Sequence, residues 1–228
     1  LGLIEDRFAE AYVIEALNNP DVVVRRFAAS VLGRRYAPRA RVVLLNALLD
    51  EDWQVRKLAA EALGLLRDEQ AIPGLLESLR DSNMWVRYAA ARALGELGDP
   101  FYDQVVDALL ETLEKDAPPV KLAAAAALGK LGDPRAAAAL EAMSRHTDAD
   151  FRRVAAEALA GIPGTAAGAC LAALLRDSQA SVRRAAAQSL GKRGSPGARE
   201  PLEVAAKTDP DPYVRQVAGA ALRPIAGT

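Results

Sequence analysis

The chain is poor in the residues that carry most protein chemistry. Its 228 residues hold one cysteine, Cys170, one histidine, His146, and two methionines. A single thiol closes no internal disulfide and builds no thiolate cluster, so the sequence predicts a reducing compartment and a fold held by packing. A lone histidine leaves no ligand set with zinc spacing. Aspartates at 148 and 150 stand near it, but the same Asp-x-Asp spacing recurs at 50/52 and 209/211, where turn formation and helix capping explain it. Aromatic residues make up only 5% of a chain that is 51% hydrophobic; Ala and Leu supply the rest, as close packing between helices requires. No run of 18 or more uncharged apolar residues occurs, so no bilayer-spanning helix is expected. Glu5, Asp6, Arg7, Glu10 and Glu15 break up the first sixteen residues, where no secretory apolar segment is visible; with Leu1 rather than Met at the start, a removed leader stays compatible. The expected location is cytoplasmic.

Motifs of catalysis are missing as well. There is no His-Glu-x-x-His, Gly-x-Ser-x-Gly or Cys-x-x-Cys, and the glycine-rich stretch 161–168 lacks the Lys-Ser/Thr of a phosphate loop. The expectation is a non-enzyme with no catalytic residue, metal or cofactor. Net charge is −1, but residues 1–114 carry 19 acids and 13 bases and residues 115–228 carry 11 acids and 16 bases, so the ends differ in sign. Such asymmetry can orient a partner with its own charge asymmetry.

What the chain does have is repetition. An apolar anchor followed by a base, small residues and Leu-Gly recurs with anchors at Val24, Val55, Val86, Val120, Phe151, Val182 and Val214, spaced by 31, 31, 34, 31, 31 and 32 residues. A period of that size marks a supersecondary unit too small to bury its own apolar face, stacked on its neighbours. Each unit reads as two helices, A and B. Helical spacing of Phe8, Ala11, Tyr12, Ile14 and Leu17 predicts the first A helix; B runs from about Val22 to Leu32 and is predicted to stop at Gly33, in the left-handed conformation that ends helices. The expected array spans 1–228, with repeats near 1–35, 36–66, 67–97, 98–131, 132–162, 163–193 and 194–228. The fourth has three extra residues and a longer A helix, and Pro118-Pro119 opens its B helix.

The pattern Asp-x-Asp/Asn-x-x-Val-Arg-x-x-Ala-Ala-x-Ala-Leu-Gly, followed by Leu-Gly-Asp-Pro, resembles HEAT repeats of the short type first associated with bilin lyase subunits. The resemblance implies an all-α fold, a right-handed α-solenoid of seven two-helix repeats with A helices convex and B helices concave. It also implies a ladder in which Asp50, Asp81, Asp177 and Asp209 pair with neighbouring bases, from the series Arg56, Arg87, Arg183 and Arg215. Lys115 and His146 stand at the Asp position in the fourth and fifth repeats, so the ladder should be interrupted mid-array. Family members serve as scaffolds, adaptors, lyase subunits and DNA repair glycosylases, so the fold does not choose among these.

Periodicity locates the open face. Counted from the anchor, positions 0, +3, +4, +7 and +8 share one face of helix B and −1, +2 and +6 the opposite one. The second set places Trp85, Tyr88, Arg92, Pro119 and Leu122 at the centre of a groove, with Arg26 and Lys57 on one side and Arg153 and Arg184 on the other. Trp, Tyr and Arg dominate binding energetics. The expected function is a protein-interaction scaffold whose groove takes a protein or peptide segment with an apolar centre and acidic flanks. Nucleic-acid binding through the same bases, with stacking on Trp85 or Tyr88, is the alternative that a pI near 6.0 disfavours; a bilin lyase-like subunit is a third.

Overall fold

A computed structural model of the chain describes residues 10–35, 38–97, 102–194 and 196–223. Among them regular structure is helical throughout and comes in pairs: α1 (10–16) and α2 (Val22–Arg35), α3 (Arg41–Ala47) and α4 (Trp53–Leu66), α5 (Ile72–Ser78) and α6 (Met84–Leu94), α7 (Tyr102–Lys115) and α8 (Pro118–Leu131), α9 (Ala137–Met143) and α10 (Ala149–Leu159), α11 (Thr165–Leu174) and α12 (Ala180–Arg193), α13 (Arg199–Thr208) and α14 (Pro212–Ala221). Odd-numbered helices are the A helices and even-numbered ones the B helices. Three of the A helices, α3, α5 and α9, are seven residues long and are each entered through a 3-10 turn, whereas α7 runs for 14. Side-chain caps start several of the B helices: Asp52 accepts from the Gln54 and Val55 amides, Asn83 from Trp85, Asp148 from Asp150 and Asp211 from Tyr213 and Val214, whereas Gln179 before α12 makes no such bond.

Contacts divide the chain into two compact units, Leu1–Ala127 and Leu128–Thr228. In the first, α2 packs on α4 and α4 on α6, while α3 and α5 cover their own B helices. In the second, α10 packs on α12 and α12 on α14, backed by α9, α11 and α13. Each repeat puts the same side chains inside. One leucine in each A helix from α3 on (Leu44, Leu75, Leu109, Leu140, Leu171, Leu202) and the leucine at +8 of helix B (Leu63, Leu94, Leu128, Leu159, Leu190) are essentially inaccessible. The alanine at +5 is buried from Ala29 through Ala187.

The glycine that recurs at +9 has a different role from a helix terminator. Gly64, Gly129 and Gly191 lie inside their helices and Gly95 caps α6 with φ −70°, so helix B continues past the expected stop, to Arg35, Leu66, Leu131 and Arg193. Left-handed residues come later, at Arg67, Gly132 and Gly194. The glycines instead seat the next helix: a Cβ on Gly64 would stand 2.8 Å from Ala93, on Gly95 2.7 Å from Ala127, on Gly129 2.5 Å from Ala158 and on Gly191 2.7 Å from Ala221. The partner is always the residue at +7 of the following repeat. Glycine therefore sets the distance between successive B helices, since any side chain would have to push the neighbouring backbone away.

The first repeat departs from the pattern. Phe27, at +3 on the predicted buried face, is 68% exposed, and Val23 and Tyr12 are exposed with it, whereas the +3 residues of the third to sixth repeats (Ala89, Ala123, Val154, Ala185) are buried.

Candidate functional site

The base after each anchor is structural. Arg25 reaches Asp50 (2.8 Å), Arg56 reaches Asp81 (2.7 Å), Arg87 reaches Asp116 (2.7 Å), Arg152 reaches Asp177 (2.7 Å) and Arg183 reaches Asp209 (2.8 Å), each a two-toothed contact from Nε and Nη2. The remaining Nη1 donates to two carbonyls of the arginine's own turn, as Arg56 does to Asp50 and Glu51 and Arg183 to Asp177 and Ser178. The carboxylate in turn accepts the amide two residues on, Asp81 from Asn83 and Asp209 from Asp211. One guanidinium thus ties its own A–B turn to the next. Such charge-assisted, two-toothed bonds are among the strongest polar contacts proteins make.

Two departures from the expected ladder follow from local sequence. Lys115 points away and pairs with Glu111, but Asp116, one residue later, supplies the carboxylate, because the turn from it to the anchor Val120 is one residue shorter than in the other repeats. The fourth repeat therefore keeps its rung. His146 does take the aspartate's place in its turn: Nδ1 accepts the Asp148 amide (3.0 Å) and the ring stacks on Phe151 at 4.2 Å, so it copies the turn without the charge. Arg215 keeps the turn half of the motif, donating to Asp209 and Pro210 carbonyls.

The rungs at Asp81, Asp116, Asp177 and Asp209 hold their carboxyls below the ordinary range. In Asp177 and Asp209 the bond from arginine is the largest influence and outweighs desolvation. In Asp81 and Asp116 desolvation is the largest single influence and would raise the value, but the arginine bond, a backbone amide and nearby positive charge together lower it.

The −1, +2 and +6 positions form the open side of helix B; among the described residues none of them is buried. Within the first unit, α6 presents Trp85, 41% exposed, beside half-buried Tyr88, with ring centres 5.9 Å apart and edge to face at 73°. The Arg92 guanidinium lies 5.8 Å from the Tyr88 ring centre. On α8, Pro119 and Leu122 are half-buried and Ala126 is exposed. Trp53, at −2, is half-buried.

The bases of this row are not equivalent. Arg26 is drawn into a second inter-repeat pair, its Nε donating to Asp52 at 2.9 Å, and Asp52 is the carboxylate that caps α4. Lys57 lies 3.4 Å from Glu61 on its own helix. In the second unit Arg153 is held between Asp150 and Glu157. Arg184 is exposed, and among the described residues neither it nor Arg92 has a carboxylate partner.

Other features escape sequence reading. An open cleft of about 690 Å³ lies between α5 and α7, over the Arg87–Asp116 rung, and another of about 640 Å³ lies between α11 and α13, over Arg183–Asp209. Arg193 clamps the turn after α10, donating to the carbonyls of Leu159, Ile162 and Gly164. Cys170 is half-buried, with Sγ 3.1 Å from the Ser144 hydroxyl; that hydroxyl already donates to Glu141, which leaves the thiol as donor. No helix of the described residues is long and apolar enough to cross a membrane.

The model of HEAT repeats matches three overlapping stretches, residues 9–87, 72–160 and 140–223. The chain is a HEAT-repeat protein. Among solved structures, the HEAT chain is similar to a chain of the complex of CpcE and CpcF of phycocyanin lyase from Nostoc sp. PCC7120, at 26% identity and a TM-score of 0.67 over 93% of this chain and 86% of that one. It is similar to an engineered protein at 25% identity and a TM-score of 0.56, covering 94% of this chain and 67% of the other. The Escherichia coli protein YibA shares the fold at 17% identity, with a TM-score of 0.60 over 96% and 92%. No curated protein sequence matches the chain.

Proposed function

We propose that this HEAT array is a non-catalytic interaction scaffold, and that in its first unit the open side of α6 and α8 takes a segment of a partner protein. The observation that carries the reading is the Trp85–Tyr88 pair. Two large aromatic side chains, Trp85 exposed and Tyr88 half-buried, stand on the open face of a helix whose buried residues are Ala, Val and Leu. Exposing them to water is unfavourable unless something covers them. Pro119 and Leu122 extend the apolar surface onto the next helix. HEAT repeats commonly mediate protein interactions, and the CpcE and CpcF chains themselves form a complex.

The test is selection of a random-peptide display library on the immobilised chain, comparing wild type with a Trp85→Ala, Tyr88→Ala, Leu122→Ala variant. The wild type is expected to enrich a consensus and the variant none, at equal far-ultraviolet ellipticity. Equal enrichment by the variant refutes the assignment.

The likeness to phycocyanin lyase supports a second reading, a subunit that handles an open-chain tetrapyrrole. A change in bilin absorbance on mixing with the chain would favour it; an unchanged spectrum at micromolar protein would dispose of it.

A further inference from the structure

Resting on the docking reading above, we infer that the partner segment is extended and carries a carboxylate about two residues from its apolar anchor, and that Arg92 is the residue that reads it. In the first unit the row holds three bases at +2 and +6. Arg26 is spent on Asp52 and Lys57 on Glu61. Arg92 has only the face of Tyr88, 5.8 Å away, and an aromatic face satisfies a cation without using its N–H donors. Arg92 is exposed, so its donors are open to solvent beside the rings. A segment that covers the rings withdraws water from this guanidinium, and a carboxylate must then replace that water for the contact to be favourable.

Helix geometry fixes the spacing. Trp85, Tyr88 and Arg92 stand at i, i+3 and i+7 on one stripe of α6. Tyr88 and Arg92 are about 6 Å apart along the axis at 1.5 Å per residue. An extended chain covers that distance in about two residues, a helix in four. Width favours the extended form. A partner helix, about 10 Å across, laid along α6 would also cover the Lys57–Glu61 pair on α4 and strip its water. An extended segment needs about half that width and fits along α6 alone, with its side chains reaching toward the apolar positions of α8.

The peptide selection described above tests this when its consensus is aligned. On wild type the consensus should join an apolar or aromatic anchor to Asp or Glu two positions away. For the synthetic consensus peptide, Arg92→Ala should weaken binding about tenfold while keeping the anchor preference, and Arg92→Glu should shift the selected residue to Lys or Arg at the same spacing. A consensus without an acid, or one unchanged by Arg92→Glu, overturns the inference while leaving the docking surface standing, provided the Trp85/Tyr88/Leu122 variant still loses it. An acid four positions from the anchor overturns the extended form. A wild-type chain that enriches nothing overturns both.

Discussion

Replacing the +9 glycines by alanine should destabilise the protein, although the same substitution inside a helix is ordinarily stabilising. Gly64 lies inside α4 with helical backbone, so on propensity alone Ala would gain about 1 kcal/mol. Its Cβ, however, would meet the Cα and Cβ of Ala93 at 2.8 Å, where ordinary contact begins at 3.4 Å. Relief requires α4 and α6 to part by about 0.6 Å, against a rung and a leucine layer that hold them together. Overpacking of that kind costs about 1–3 kcal/mol. At Gly129, where Ala158 presents Cα, Cβ and carbonyl oxygen at 2.5–2.9 Å, the upper end applies. The net loss is about 0–2 kcal/mol, at the top of that range for Gly129, which for a chain of this size lowers the apparent thermal midpoint by up to about 8 °C. Gly168 and Gly219 supply the contrast: a Cβ there meets nothing within 4 Å, so Ala should raise the midpoint by about 1–4 °C. Circular dichroism melts of the four single variants decide the matter. A rise for Gly64→Ala or Gly129→Ala comparable to that for Gly168→Ala would refute the close-approach argument.

Stability should fall in acid for a reason that can be assigned. The carboxyls of Asp81, Asp116, Asp177 and Asp209 are held below 3.8, so their contribution is complete above that pH and is lost as pH falls through their lower folded-state values. Urea midpoints should therefore be flat from neutrality to about pH 5 and drop steeply below 4, and an Asp209→Asn, Asp177→Asn double variant should show a shallower drop. Asp209→Ala, which leaves the buried Arg183 with only its two carbonyls, should cost about 2–4 kcal/mol, measured by denaturant titration. Arg193→Ala should raise hydrogen exchange selectively over residues 159–164, since three carbonyls lose their donor; uniform exchange across the second unit would argue against a local clamp. Phe27→Ser, at an exposed position, should change the midpoint little, whereas Phe151→Ser should cost about 3–5 kcal/mol.

The helix pairs, their buried leucines and the open row were legible because a 31-residue period and a 100° helical step constrain every repeat at once. What the sequence misassigned turns on pairs of residues one repeat apart. Glycine at +9 reads as a terminator when a single repeat is considered; only the apposition of Gly64 with Ala93 reveals a spacer. Lys115 reads as a broken rung when the turn before Val120 is given the length of the others; it is one residue shorter, and Asp116 supplies the carboxylate. Phe27 shares the +3 position with Ala89, Ala123, Val154 and Ala185, which are buried, yet it is exposed.

The row of bases shows why the candidate site was only half legible. Position +2 of one repeat meets position −3 of the next, where Arg26 finds Asp52. For Lys57 the corresponding residue is Asn83, which has no charge, and the lysine turns to Glu61 instead. For Tyr88 it is Ala117, so nothing on the following turn competes for the ring or for Arg92 behind it. Yet the rule is incomplete, since Asp211 stands in the same relation to Arg184, which stays exposed while Asp211 caps α14. Whether a cation is available to a partner is thus decided by which acceptor reaches it first, a property of side chains from two repeats. This separates the functions of the two charged rows. The base at +1 is fixed by two carbonyls of its own turn and a carboxylate of the next, so substituting it alters the stack. Arg92 is bound by neither, and replacing it should alter recognition while leaving the melting midpoint within about 1 °C of wild type. A larger drop in midpoint for Arg92→Ala would mean that the guanidinium holds the helix in place, and the assignment of this stripe of α6 to a partner would have to be abandoned.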